Sequence, residues 1–219
     1  MYELNVNGTI IKYKLLDINF MINFNKKYLL EKDKDKLDIF KQLLVVENYV
    51  DETANFLSNI EYDFLILHLL ANSDDNVIQA EFECPYCKTS NVLDIDLEDI
   101  MKSIKEKYFI PTETVHLEHL GENYSIHLNY KNIKRNGDIN DLIDTLETSN
   151  GIVVLPEEIK QQVLKFPIKL GKKLIGKYKP YILYQNNFMC TNIKCDKSST
   201  AYFEDIGFFL MTLLSQELH

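Results

Sequence analysis

Four cysteines in two closely spaced pairs constrain this chain more than any other feature. Cys84 and Cys87 lie two residues apart within FECPYCKTSNVLDIDL, and Cys190 and Cys195 lie four apart within NNFMCTNIKCDKSSTAYF. Residues 88–189 separate the two pairs. Each pair interrupts two stretches in which polar and apolar residues alternate, so each reads as strand, tight turn, strand with the cysteines at the turn. A tetrahedral zinc site needs four soft or borderline ligands, and a pair spaced by two to four residues supplies two of them from one turn. The pattern predicts a zinc-ribbon-like pair of knuckles in which Cys84, Cys87, Cys190 and Cys195 hold one structural Zn2+. Such a site would clamp distant parts of the chain, and closing a long loop removes unfolded-state entropy. Two other readings stay open. CPYC has the spacing of a thiol redox centre, but that chemistry uses a helix N-terminus after the first cysteine to lower the thiol pKa, and KTSNVLDIDL reads as strand. The four thiols could also bind nothing.

The rest of the chain frames these pairs as part of an α+β protein of short β-hairpins and several helices. Leu4–Val6 and Thr9–Leu16 flank Asn7-Gly8, the dipeptide best suited to a two-residue hairpin turn. A helix is expected over Asn25–Lys32, and another in KLDIFKQLLVVENYV, where Leu37, Phe40, Leu43 and Leu44 share a stripe. Ile60–Ala71 is apolar almost all round and predicts a buried helix. Ile100–Tyr108 also reads as helix, and TVHLEHLGENYSIHLNY as a second hairpin broken at Gly121-Glu122-Asn123.

Further on, GDINDLIDTLETSNG predicts a helix stopped by Gly151. Leu155-Pro156-Glu157-Glu158 opens another, with Pro and acids placed as a helix N-terminus favours, running to about Lys165. A Lys-rich helix is expected over Ile168–Lys179. The chain closes on EDIGFFLMTLLSQEL, with Phe208, Phe209, Leu213 and Leu214 facing a core. These elements suggest an N-terminal α+β region over 1–134 carrying the first knuckle and a mostly helical region over 135–219 carrying the second, or the two as one integrated domain.

Composition narrows the function classes. The 219 residues are 46% hydrophobic with a formal net charge of -9 and a pI near 5.1, which fits a globular chain and disfavours phosphate backbones as partners. The amino terminus lacks a basic-then-apolar signal pattern, and the longest apolar run, Phe64–Ala71, is far short of a membrane span. A cytosolic protein with reduced thiols is the expectation. No P-loop, G-x-G-x-x-G or G-x-S-x-G occurs, and Asp94–Ile100 reads as a strand's solvent face plus a helix cap, so no enzyme is expected.

His68 sits within an apolar helix and reads as a satisfied core residue. His116 and His119, three apart on a strand, would point to opposite faces. Lys165, Lys169, Lys172, Lys173, Lys177 and Lys179 form an acid-free run in an acidic chain. They are a solvated helix face or a contact surface for an acidic partner. The alternative function they leave open is a zinc-ribbon nucleic-acid-binding or transcription-related protein.

The stretch IEYDFLILHLLANSDDNVIQAEFECPYCKTSNVLDIDLEDI joins an Asp and an apolar helix, a polar break, a strand leading to C-P-x-C, and a strand ending in I-D-L. It resembles the T4-like bacteriophage baseplate hub proteins. CTNIKCDKSSTAYFEDIGFFL is similar to their C-terminal end, with Phe208-Phe209 in the aromatic position. The sequence departs from the family pattern at the second pair. There the family spacing is two residues, often followed by Gly, whereas Cys190 and Cys195 are four apart and followed by Asp196. The resemblance implies a structural or assembly role in the hub of a contractile-tail baseplate, with other baseplate and tail hub proteins as partners. It places the chain in the virion, and in the host cytoplasm during assembly.

Overall fold

The structure is a computed structural model that describes all residues except 32–34, 74–75, 111, 133–138, 164, 167, 177–181, 204–205, 208–209 and 211–219. It is α+β throughout. Its internal contacts group Met1–Ile104 with Ile182–His219 as one compact unit and Lys105–Tyr181 as a second. Both cysteine knuckles fall in the first unit.

The first unit opens on the hairpin of β1 (Tyr2–Val6) and β2 (Thr9–Tyr13), paired from Tyr2↔Tyr13 to Val6↔Thr9. Asn7 and Gly8 both take positive φ, 49° and 92°, as a two-residue hairpin turn that follows strand twist requires. Helix α1 spans Ile18–Leu30, starting earlier than the expected Asn25. Asp17 is the reason: its carboxylate accepts the Phe20 N–H at 2.9 Å and caps the helix. Phe20 and Phe24 of α1 meet Phe40 of α2 (Lys36–Val46) edge to face, at 5.0 and 5.1 Å. The predicted stripe Leu37, Phe40, Leu43 and Leu44 is buried.

Helix α3 (Asn59–Ser73) buries every residue from Ile60 to Leu67. Ser58 and Glu61 form a capping box: Glu61 Oε2 accepts the Ser58 N–H at 2.9 Å, and the Glu61 N–H reaches back to the Ser58 hydroxyl. The other Glu61 oxygen accepts from the Asn7 side chain at 2.8 Å, tying the helix start to the hairpin turn. His68 is half-buried and not in the core, and its Nε2 lies 2.9 Å from the Tyr13 hydroxyl.

Two further hairpins complete this unit. β3 (Val77–Glu83) pairs with β4 (Ser90–Asp96), and β9 (Tyr184–Met189) with β10 (Ser198–Phe203). Asp96 ends β4 and caps α4 (Leu97–Tyr108) by accepting the Glu98 N–H at 2.8 Å, so this helix also begins before the expected Ile100. Leu97, Ile100, Ile104 and Tyr108 form its buried stripe.

The second unit is built on a four-stranded antiparallel sheet in the order β5-β6-β7-β8: Glu113–His119, Glu122–Leu128, Ile143–Thr148 and Val153–Val154. The β5–β6 turn is Leu120-Gly121, at φ 53° and 79°. The helix expected over residues 137–150 is corrected here. Among its described residues only α5 (Ile139–Leu142) is helical, and the chain then becomes β7, paired with Tyr124–Leu128 of β6. Ile139, Leu142, Ile143 and Leu146 have helical spacing, but the edge of β6 offers a full ladder of backbone partners, and Leu146 is fully buried from within the sheet. Pairing outweighs local propensity. α6 (Pro156–Val163) begins where expected and α7 (Ile168–Ile175) follows. Lys177 and Lys179, and the closing Phe208, Phe209, Leu213 and Leu214, lie outside the described residues.

Candidate metal centre

The two cysteine hairpins are built alike. In the first, the Cys84 N–H donates to the Thr89 carbonyl at 2.9 Å and the Lys88 N–H returns to the Cys84 carbonyl at 2.9 Å. In the second, the Cys190 N–H donates to the Lys197 carbonyl at 3.0 Å. In both, the residue after the second cysteine is left-handed: Lys88 at φ 62° and Asp196 at φ 43°. That conformation turns the chain back into the outgoing strand. Glycine adopts it most freely, and Asp is among the few side chains that tolerate it. Asp196 therefore holds the left-handed position that closes the second turn.

The extra two residues of the C-x4-C turn are also accounted for. Asn91, 1% exposed on β4, accepts the Thr191 N–H at 2.8 Å and the Thr191 hydroxyl at 3.0 Å, both at Oδ1. Its amide nitrogen donates to the Thr89 carbonyl at 2.8 Å. Asn192 donates to the Thr89 hydroxyl at 3.2 Å, while its own oxygen accepts the Lys194 N–H at 3.0 Å. The longer turn is thus bound to the shorter one side chain by side chain. Behind the turns, Phe82 packs on Phe203 and Phe188 at 5.0 and 6.2 Å between ring centres.

This arrangement brings all four sulfurs together. The Sγ atoms of Cys84, Cys87, Cys190 and Cys195 lie within 4.8 Å of one another. Cys84 Sγ is 3.8 Å from Cys195 Sγ, and Cys87 Sγ is 3.5 Å from Cys190 Sγ. All four cysteines are free. A tetrahedron with metal–sulfur bonds of ~2.3 Å has edges of about 3.8 Å, close to these spacings. Cys84 and Cys190 are buried and the other two half-buried.

The electrostatics fit a cation at the centre. Hydrogen bonds from the Thr89 side chain and backbone bring the Cys87 thiol down to about 6. Burial opposes ionisation of Cys84, but the N–H groups of Cys87 and Tyr86 outweigh it and the pKa falls. Burial raises Cys190, and burial together with the neighbouring thiols pushes Cys195 up to about 12. One knuckle is prepared to ionise and the other resists while its neighbours are negative. A divalent cation held by Cys84, Cys87, Cys190 and Cys195 would supply the missing positive charge and let all four become thiolates. The cluster can hold a metal. No helix follows Cys87, so the arrangement lacks the helix N-terminus of a thiol redox centre.

A profile of the family described as T4 bacteriophage base plate protein matches residues 1–211. The chain belongs to this family. No significant match was found among curated proteins or among solved structures. The resemblance carried by Ile60–Ile100 and Cys190–Leu210 therefore extends over nearly the whole of this base plate protein.

The other candidate residues are dispersed. His116 is exposed and His119 half-buried, and neither joins a ligand cluster among the described residues. Lys165, Lys172 and Lys173 are exposed, and Lys169 lies on α7. Lys173 lines a cavity of about 430 Å³ with His116, Leu117, Glu118, Asn123, Tyr124 and Ser125. Asn91, Thr89 and Thr191 were not legible as site residues. The only sequence signal was their position beside the cysteines, which does not say that their side chains bond across the two turns. Among the described residues, no helix is long and apolar enough to cross a membrane.

Proposed function

We propose that this base plate protein is a structural or assembly component of the central hub of a contractile phage tail, acting through contacts with other baseplate and tail hub proteins and not through catalysis. The family match over residues 1–211 carries this reading. Its place is the tail baseplate of the virion, with the host cytoplasm as the site of assembly. The four cysteines hold one structural Zn2+, which staples hairpins separated by residues 88–189. The sulfur spacings of 3.5 and 3.8 Å support zinc, because a tetrahedral tetrathiolate needs such edges. The lysine run of Lys165, Lys169, Lys172, Lys173, Lys177 and Lys179, of which Lys165, Lys172 and Lys173 are exposed, contacts an acidic partner. The 13 Tyr and 12 Phe of the chain suit protein interfaces, where aromatic side chains anchor binding.

Mass spectrometry of purified virions and of unfinished baseplates from infected cells tests the role. A fixed ratio of this chain in mature particles identifies a hub component, and presence only in unfinished baseplates identifies an assembly factor. Absence from both overturns the hub reading.

A further inference from the structure

Two exposed patches of this chain carry opposite charge around an aliphatic centre. On α7, Ile168 is 79% exposed and Lys172 stands one turn on, beside exposed Lys173 and after exposed Lys165. No acidic residue occurs between Glu158 and Asp196. On the outer face of the β3–β4 hairpin, Val92 is 60% exposed and lies directly across from Glu81. Glu83 and Asp94 are exposed on the same face. From residue 81 to 99 the chain carries Glu81, Glu83, Asp94, Asp96, Glu98 and Asp99 against Lys88 alone. An apolar centre with a charged surround is the make-up of a protein interface.

We propose that the α7 patch docks on the β3–β4 outer face of a second copy of this chain. The inference rests on the reading that the lysine run contacts an acidic partner, and it names that partner. Charge complementarity selects the occupant. Two molecules of net charge -9 repel on average, so they associate most readily where a positive face of one meets a negative face of the other. The acids are already held in place: Gln79 donates to Asp94 at 3.0 Å, and the Ser90 hydroxyl donates to Glu81. They therefore need little further ordering on binding. Lys88 is engaged by Glu83 at 2.9 Å, which leaves Glu81 and Asp94 to face the lysines. Ile168 on Val92 gives the contact its apolar centre, with Lys172 and Lys173 against Glu81 and Asp94 around it. The two patches are different surfaces, so the contact is head to tail and builds a ring or a filament. Its charges are exposed, so it is weak and sensitive to salt.

Light scattering of the full chain at about 1 mM tests it between ~20 mM and ~500 mM salt, where the Debye length falls from roughly 20 Å to about 4 Å. Wild type should exceed the monomer mass at low salt, and its association constant should fall about tenfold or more at high salt. Lys172→Glu with Lys173→Glu should be monomeric, as should Glu81→Lys with Asp94→Lys. The four changes in one chain should restore association. Circular dichroism confirms that each variant is folded. A monomeric wild type at low salt, association indifferent to salt, charge-reversed pairs that still associate, or a combined variant that stays monomeric overturns the proposal. Should it fail, incorporation of the Lys172→Glu, Lys173→Glu chain into baseplates in infected cells separates it from the underlying reading. Loss of that chain from baseplates means that the lysines serve another acidic partner, and full incorporation means that the lysine reading falls too.

Discussion

Asn91 and Thr191, 100 residues apart in sequence, share one part-buried hydrogen-bonding site: Asn91 Oδ1 accepts both the backbone N–H and the hydroxyl of Thr191. This contact joins the two cysteine turns without any metal. It holds the turn of Cys190 and Cys195 against the turn of Cys84 and Cys87.

Asn91→Ala should destabilise the protein by ~1–3 kcal/mol, because it removes the bonds to the Thr191 N–H, the Thr191 hydroxyl and the Thr89 carbonyl together. Thr191→Val removes only the hydroxyl bond and should cost about 1 kcal/mol. Chemical denaturation of both variants measures the difference. Equal and negligible effects would mean that the sulfurs alone hold the turns together.

Metal analysis of protein purified without chelator should find one zinc per chain. Stripping it with a strong chelator should lower the melting temperature by roughly 10 °C, the scale set by about 4 kcal/mol for releasing a closure of some 100 residues. Cys84→Ser and Cys195→Ser should each reproduce most of that loss. Identical melting with and without chelator would remove the metal from the structure's stability.

Asp196→Val should weaken the second turn. A β-branched side chain at φ 43° is strained by ~1–3 kcal/mol, and the residue lies directly after Cys195. Asp196→Gly should retain wild-type zinc affinity in a competitive chelator titration. If Val matches Gly, the left-handed turn does not control the site.

Asp17 links stability to pH. Its carboxyl is held below the usual range by the Phe20 N–H and the Tyr49 hydroxyl, the latter 2.7 Å away. The folded pKa lies below the unfolded one, so the contribution is present above the unfolded value near ~4 and is lost as pH falls through the folded value. Asp17→Asn should therefore be less stable than wild type at pH 7, with the gap closing toward pH 2. A constant gap across that range would show that the charge is not responsible.

Much of the local structure was legible because the signals were local. Asn7-Gly8 required positive φ at both positions, and the alternation around each cysteine pair fixed its strands. The apolar run at Ile60–Ala71 could be stable only as a buried helix. The helix starts were less legible. Asp17 and Asp96 each cap a helix earlier than the apolar pattern suggested, because a single carboxylate satisfies backbone N–H groups that hydrophobic spacing does not register.

The sequence by itself determined that four thiols would stand on two hairpin turns and that the chain would be α+β. Only the tertiary structure decided that the turns meet and that Asn91 clamps Thr191. It also decided that residues 143–148 complete a sheet, although their apolar spacing is helical. The physical reason is the range of the interactions. Turn conformation and side-chain alternation are set within a few residues. The meeting of sulfurs across residues 88–189, and the choice of β6 as a partner for Ile143–Thr148, depend on surfaces that exist only once the rest of the chain has folded.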